Sequence, residues 1–143
     1  CRATFYLSSK YNANLIKKHT NTPPMKDKVI LGLIEHVTVH GSKDKEAEVL
    51  ARIDTGATSS SIDYTLAGEL QLGPVISSKV VKSASGIKKR PNLKVKITLK
   101  GIDIEEEFTL ADRSHMTYKI LLGQNVLKKG NFLIDPLKKT ETS

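Results

Sequence analysis

The stretch Val49-Leu50-Ala51-Arg52-Ile53-Asp54-Thr55-Gly56-Ala57-Thr58-Ser59-Ser60-Ser61-Ile62 is an apolar run that ends in Asp-Thr-Gly-Ala and continues into small polar residues. A carboxylate at the end of a buried strand is unfavourable unless something uses it. Gly56 lets the backbone turn tightly and brings its N–H close to the Asp54 carboxylate, and the Thr55 hydroxyl is free to hydrogen-bond across to a partner loop. Asp and Gly are also ordinary turn residues, so the triplet taken alone reads equally well as a β-turn.

Two such loops face to face put their aspartates a few ångströms apart. Like charges that close cannot both ionise, so the pair shares a proton. One carboxylate then activates water while the other protonates a carbonyl, which is general acid–base hydrolysis with no metal, no covalent intermediate and no cofactor. The chain holds one Asp-Thr-Gly, so the second aspartate must come from a second copy, and closed two-fold symmetry supplies it.

Outward from this loop the chain carries short β-patterned runs separated by turn signals, the spacing of an all-β barrel or sandwich. The expected strands are 29–39, 47–53, 74–83, 93–99, 104–110 and 132–134. Leu93-Lys94-Val95-Lys96-Ile97-Thr98-Leu99 alternates strictly, so one face is buried and the other is basic. Lys100-Gly101-Ile102-Asp103 reads as the hairpin connection to the next strand. One short helix is expected at Gln124-Asn125-Val126-Leu127-Lys128-Lys129, ended by Gly130. Residues 1–26 mix Ser, Asn, Thr and Lys with Pro23-Pro24 and read as a polar arm or linker, leaving 27–143 as one domain.

A second segment, Ile120-Leu121-Leu122-Gly123-Gln124-Asn125-Val126-Leu127, resembles the other signature of retropepsin-like aspartic peptidases: an apolar pair, a Gly, then a short helix behind the active site. Between the two signatures, 79–90 resembles that family's flap hairpin, with Ser85-Gly86 near its tip. The resemblance runs from about Ala47 to Pro136. It implies a mainly β, closed barrel with a flap hairpin, and a homodimeric aspartic-type endopeptidase acting on a peptide or protein substrate. The implied catalytic residues are Asp54, Thr55 and Gly56, and the implied substrate-binding residues are Ala57, Ser83, Ser85, Gly86, Lys88, Lys89 and Arg90. In finer detail Ser83-Ala84-Ser85-Gly86, Asp112-Arg113 with Met116, and Phe132-Leu133-Ile134-Asp135-Pro136 look like the microbial branch historically labelled "ATP-dependent zinc protease", some members of which accompany glutamate ligases. Retroviral members pair an acid after Asp-Thr-Gly-Ala with an Arg after the second Gly. Here Thr58 and Gln124 hold those positions, and this matched loss of charge leaves no orphaned ion.

The zinc of the branch label finds no ligand set in the sequence. There is no His-Glu-x-x-His. His36 and His40 lie in a strand pattern, about 13 Å apart at ~3.3 Å per residue, too far to share a metal. They read as solvent-face residues, and His19 and His115 are isolated.

Formal net charge is +8, and eight basic residues between Lys79 and Lys100 face no Asp or Glu within that segment. Overhanging the catalytic pair, they would concentrate an acidic, glutamate-rich peptide over Asp54. Lysines that protect an exposed strand edge account for such a run equally well. Nucleic acid is the rival reading, but no Phe, Tyr or Trp is interleaved to stack bases, so none is expected beyond weak phosphate contacts. A retropepsin-like interaction module without activity is the third reading. No apolar run is long enough to span a bilayer. Cys1, the single cysteine, allows no internal disulfide; the expected settings are export or lipid anchoring through Cys1, or an arbitrary chain start and a cytoplasmic protein.

Overall fold

The strict alternation of 93–99 is the clearest physical instruction in the chain, and in the computed structural model it becomes the inner half of the longest strand. The structure describes residues 28–84 and 86–140. The polar arm, Cys1, His19 and Ser85 of the sequence reading lie outside them. The strands are β1 (Ile30–Leu31), β2 (Ile34–His40), β3 (Glu46–Ile53), β4 (Ser60–Asp63), β5 (Val75–Ser83), β6 (Gly86–Leu99), β7 (Ile102–Ala111), β8 (Ile120–Leu122) and β9 (Leu133–Ile134). The helices are α1 (Tyr64–Glu69) and α2 (Gln124–Lys129).

Six strands form a ring in the order β2-β3-β8-β4-β7-β6, closed where β2 meets β6 at Val39↔Ile97. Closure removes the sheet edges. The inward residues Val37, Val39, Ala51, Ile53, Ile62, Val95, Ile97, Phe108, Ile120 and Leu122 are buried and form the core. Lys94 and Lys96 point the other way, opposite Glu107 and Glu105 of β7. The β6–β7 connection is a two-residue turn at Lys100 and Gly101, both with positive φ (52° and 78°), the backbone that matches strand twist in a tight hairpin.

The short strand β8 is inserted between β3 and β4, parallel to the first and antiparallel to the second. It therefore sits directly behind the 54–59 loop that joins them. β5 lies outside the ring and among the described residues pairs only with β6, so β5 and the outer half of β6 project as a hairpin.

Three local features depart from the sequence reading. The expected strand 29–39 is broken in two at Gly32 and Leu33. There Gly32 donates its N–H to Glu35 Oε2 (2.7 Å), and a Cβ on it would lie 2.7 Å from Lys138 O. This bend lets β1 leave the barrel and pair in parallel with β9. A second short helix, α1, joins the expected one. Asp63 caps it by accepting the Thr65 N–H (3.1 Å), and Leu66, Ala67 and Leu70 pack inward. Finally, β4 and β8 are strands beyond the six expected, and β4 shows no alternation, because Ser60, Ser61, Ile62 and Asp63 are all buried.

Candidate active site

β3 delivers Asp54 to the mouth of the barrel, and backbone bonds fix it there. Its N–H donates to Leu122 O of β8 (2.9 Å), and Ala57 N–H returns to Asp54 O (3.3 Å). The Gly56 N–H donates to Asp54 Oδ1 (2.9 Å). A Cβ at Gly56 would stand 3.3 Å from that oxygen, so glycine permits this approach without crowding. Asp54 is half-buried, and Thr55 and Gly56 are exposed beside it.

The loop is braced from behind. Gly123 packs so closely that a Cβ would fall 2.2 Å from Ser59 O and 2.8 Å from Ala57 O. Its N–H donates to Ser60 Oγ (2.9 Å), whose hydroxyl in turn donates to Asn125 Oδ1 (2.8 Å), and Asn125 Nδ2 donates to Glu107 O (2.9 Å). Gln124 N–H bonds Ala57 O (2.7 Å), and its side-chain Nε2 donates to Thr55 O (2.8 Å). Where an ion pair was expected in retroviral relatives, Gln124 thus makes a neutral bond, to the Thr55 backbone rather than to Thr58. Ser60 and Asn125 were not singled out in the sequence. Their role depends on contacts 65 residues apart in the chain, which no local pattern announces.

The hairpin of β5 and β6 leans over the loop, and Lys79 Nζ donates to Ser59 Oγ. Between them lies a cavity of about 440 Å³ whose lining includes Gly56, Ala57, Ser59, Lys79, Lys82, Arg90 and Arg113. The expected binding residues divide at this point. Ala57 and Arg90 line the cavity. Lys88 and Lys89 are exposed further out, opposite Val81 and Val80, and do not line it. Gly86 starts β6 with φ +116° and opposes Ser83. Lys79, Lys82 and Arg113 join the cavity without having been proposed for it.

The basic run also divides. Lys94 and Lys96 face glutamates across β7, and Lys100 Nζ lies 3.4 Å from Glu35 Oε1. The remaining five, Lys79, Lys82, Lys88, Lys89 and Arg90, lie on the hairpin. Glu35 is buried, also meets Lys138 Nζ at 2.6 Å, and ties the segment after β9 to the barrel. Burial works to raise its pKa, but the bonds from Lys138 and Gly32 and the charges of Lys100 and Lys138 outweigh burial and hold it below the ordinary value.

Both central histidines lie on β2 as expected, half-buried on one face. His40 Nε2 contacts Thr98 Oγ1 (2.7 Å), and its Nδ1 is 3.4 Å from Glu46. Among the described residues no group of three or more His, Cys, Asp or Glu side chains is placed to hold a metal ion, and no helix is long and apolar enough to cross a membrane.

A six-stranded closed barrel, a flap-like hairpin and an Asp-Thr-Gly loop braced by a glycine and a short helix define the retropepsin-like class. The chain belongs to the family described as retropepsin-like aspartic endopeptidase RimB, whose profile matches residues 67–142, just over half of the sequence. That match begins downstream of Asp54. The family carries with it the aspartic-type hydrolase class.

Among solved structures the fold is similar to that of a Legionella pneumophila protein of unknown function (DUF785), at TM-score 0.58 and 21% identity over 80% of this chain and 98% of that one. It is similar also to EIAV protease bound to the inhibitor HBY-793, at TM-score 0.53 and 21% identity over 65% of this chain and 82% of that one. Simian Foamy Virus protease aligns at TM-score 0.48 and 17% identity, over 65% of this chain and 89% of that one. No curated protein matches the sequence.

Proposed function

We propose that the chain is an aspartic-type peptidase that hydrolyses peptide or isopeptide bonds through two Asp54 carboxylates, one from each copy of a two-fold dimer. The observation that carries this reading is the Asp54 carboxylate held by the Gly56 N–H at the barrel mouth, beside a cavity roofed by the hairpin. In the dimer the ionised Asp54 takes a proton from water as the water oxygen attacks the carbonyl carbon. The protonated Asp54 of the other copy gives its proton to the carbonyl oxygen. The tetrahedral species then breaks its C–N bond as a proton passes to the leaving amine, and the shared proton is restored.

Two features support the dimer. Thr55 is exposed beside Asp54, and a groove of about 320 Å³ lined by Thr55, Gln124, Leu127, Phe132 and Ile134 opens next to it. The peptidase unit spans 27–143 in this reading. Placement in the branch labelled "ATP-dependent zinc protease" rests on the residue resemblances alone, and the catalysis proposed needs no zinc. The five hairpin cations favour acidic, glutamate-rich substrates.

The test is hydrolysis of acidic and neutral peptides by the wild type and by Asp54→Asn, with and without a strong chelator. Asp54→Asn should lose on the order of 10²–10⁴-fold in kcat, the usual size of an acid–base contribution, while the chelator leaves the rate intact. A rate lost to chelator and restored by zinc contradicts the proposal. Peptide binding without hydrolysis favours the interaction module, and tight single-stranded nucleic-acid binding at physiological salt favours the rival reading of the hairpin.

A further inference from the structure

Arg113, just past β7, is a buried cation with no counter-ion at contact distance among the described residues. Its residue is 8% exposed. The guanidinium Nε donates to Tyr118 O (2.9 Å), and Nη1 lies 3.5 Å from Ser61 Oγ; both partners are neutral. Asp63 is nearby, but its two oxygens accept main-chain N–H groups, Oδ1 from Arg113 itself (2.8 Å) and Oδ2 from Thr65 (3.1 Å). Among the described residues no carboxylate forms an ion pair with this guanidinium.

Arg113 lines the 440 Å³ cavity together with Lys79, Lys82 and Arg90, and among the described residues no Asp or Glu lines it. Burial lowers the pKa of Arg113, Asp63 partly restores it, and the like charges of Arg52 and Arg90 lower it again. Arg113 is buried, Arg90 half-buried, and Lys79 and Lys82 exposed at this cavity, so one anion bound there would meet four cations and offset their repulsion, and a guanidinium fork matches a carboxylate in geometry. The volume is in the range of ligand pockets, ~300–1,000 Å³.

We infer that this cavity is a carboxylate-binding subsite of the substrate cleft, with Arg113 as its fixed anchor and Lys82 and Arg90 as the hairpin's contribution. This rests on the peptidase reading and adds to it where an acidic substrate is recognised. The carboxylate comes either from a Glu side chain or from a free peptide C-terminus.

Binding is measured on full-length Asp54→Asn, so that no turnover is needed, at one ionic strength. The probes are tetraglutamate and tetraglutamine peptides, each as free acid and as C-terminal amide. A preference for Glu among the amides identifies the side chain, and a preference for free acid among the Gln peptides identifies the terminus. Adding Arg113→Met should cut that preference by about 10–100-fold, the size of a charged hydrogen bond, and Arg113→Lys should restore part of it. An unchanged preference, or none in the parent protein, overturns the inference.

Should Arg113→Met fail to fold by circular dichroism, the Lys82→Gln, Arg90→Gln double variant takes its place. It should cut the preference about 3–10-fold, consistent with more exposed charges, and no cut overturns the inference. The two proposals fail separately. Wild-type protein that binds with the expected preference yet hydrolyses none of the four peptides contradicts the peptidase reading alone; hydrolysis without the preference contradicts the subsite alone.

Discussion

The 54–59 loop and the hairpin that overhangs it are built on opposite principles. Every turn of the loop is tied to a neighbouring element: Asp54 to β8, Ala57 to Gln124, and Ser60 to Gly123 and Asn125. Among the described residues, the strand partners of 78–83 and 86–91 lie only in each other, and Val80 and Ile87 are 56% and 69% exposed. An isolated two-stranded hairpin is marginal in water. Substitutions in the loop should therefore act on folding and on the chemical step, and those in the hairpin on binding.

The comparison breaks most visibly at Gly123. A methyl group there meets two carbonyl oxygens at 2.2 and 2.8 Å, and both belong to backbone that cannot swing aside. Gly123→Ala should lower stability by roughly 2–4 kcal/mol, at or above the upper end for overpacked sites. Urea denaturation measures it, and a stability within 0.5 kcal/mol of wild type, the range of an ordinary surface change, would show that the loop is less constrained than described.

Glu35 anchors the barrel away from both regions. Its pKa is lowered from the ordinary 4.5, so its contribution is complete above that value and is lost as pH falls through the lower folded-state value. Glu35→Gln should cost about 1–3 kcal/mol at neutral pH and flatten the acid limb of the stability curve. Thermal melts across pH 2–7 check both, and parallel curves for the two proteins would remove Glu35 as the cause.

How much of this was legible in the sequence follows from where each instruction is written. Leu93–Leu99 carries its strand in its own alternation, and Lys128-Lys129-Gly130 carries its helix end, because both are local. The barrel mouth was readable through Asp54-Thr55-Gly56 because a glycine beside a carboxylate is local too. β4 and β8, of four and three residues, are strands only because the ring supplies partners on both sides. β4 lacks alternation because its serines and Asp63 are consumed by internal hydrogen bonds. Arg113 reaches the cavity through contacts with Ser61 and Asp63, about fifty residues back in the chain, and nothing in its neighbours foretells that. The basic run misled in one respect: three of its eight members, Lys94, Lys96 and Lys100, meet acids contributed by other segments.

On the hairpin side the expected effect is the smallest. Lys88→Gln, Lys89→Gln and Arg90→Gln combined should raise KM for a glutamate-rich peptide about 3–10-fold with kcat nearly unchanged, the mark of lost uniform binding. Arg90 should contribute most, since it alone of the three lines the cavity. The effect should shrink with added salt, as the screening length is about 10 Å at 0.1 M. An equal change for a neutral peptide would separate the hairpin's charge from selectivity.

The central claim, that two copies each contribute one Asp54, is tested most directly by mixing. Wild type and Asp54→Asn are combined at fixed total concentration, allowed to exchange subunits, and assayed for peptide hydrolysis while sedimentation follows the dimer. If a dyad needs both aspartates, activity falls as the square of the wild-type fraction, to about one quarter at an equal mixture. A linear fall, to about one half with no dimer in sedimentation, would mean that each chain acts alone and would contradict the account.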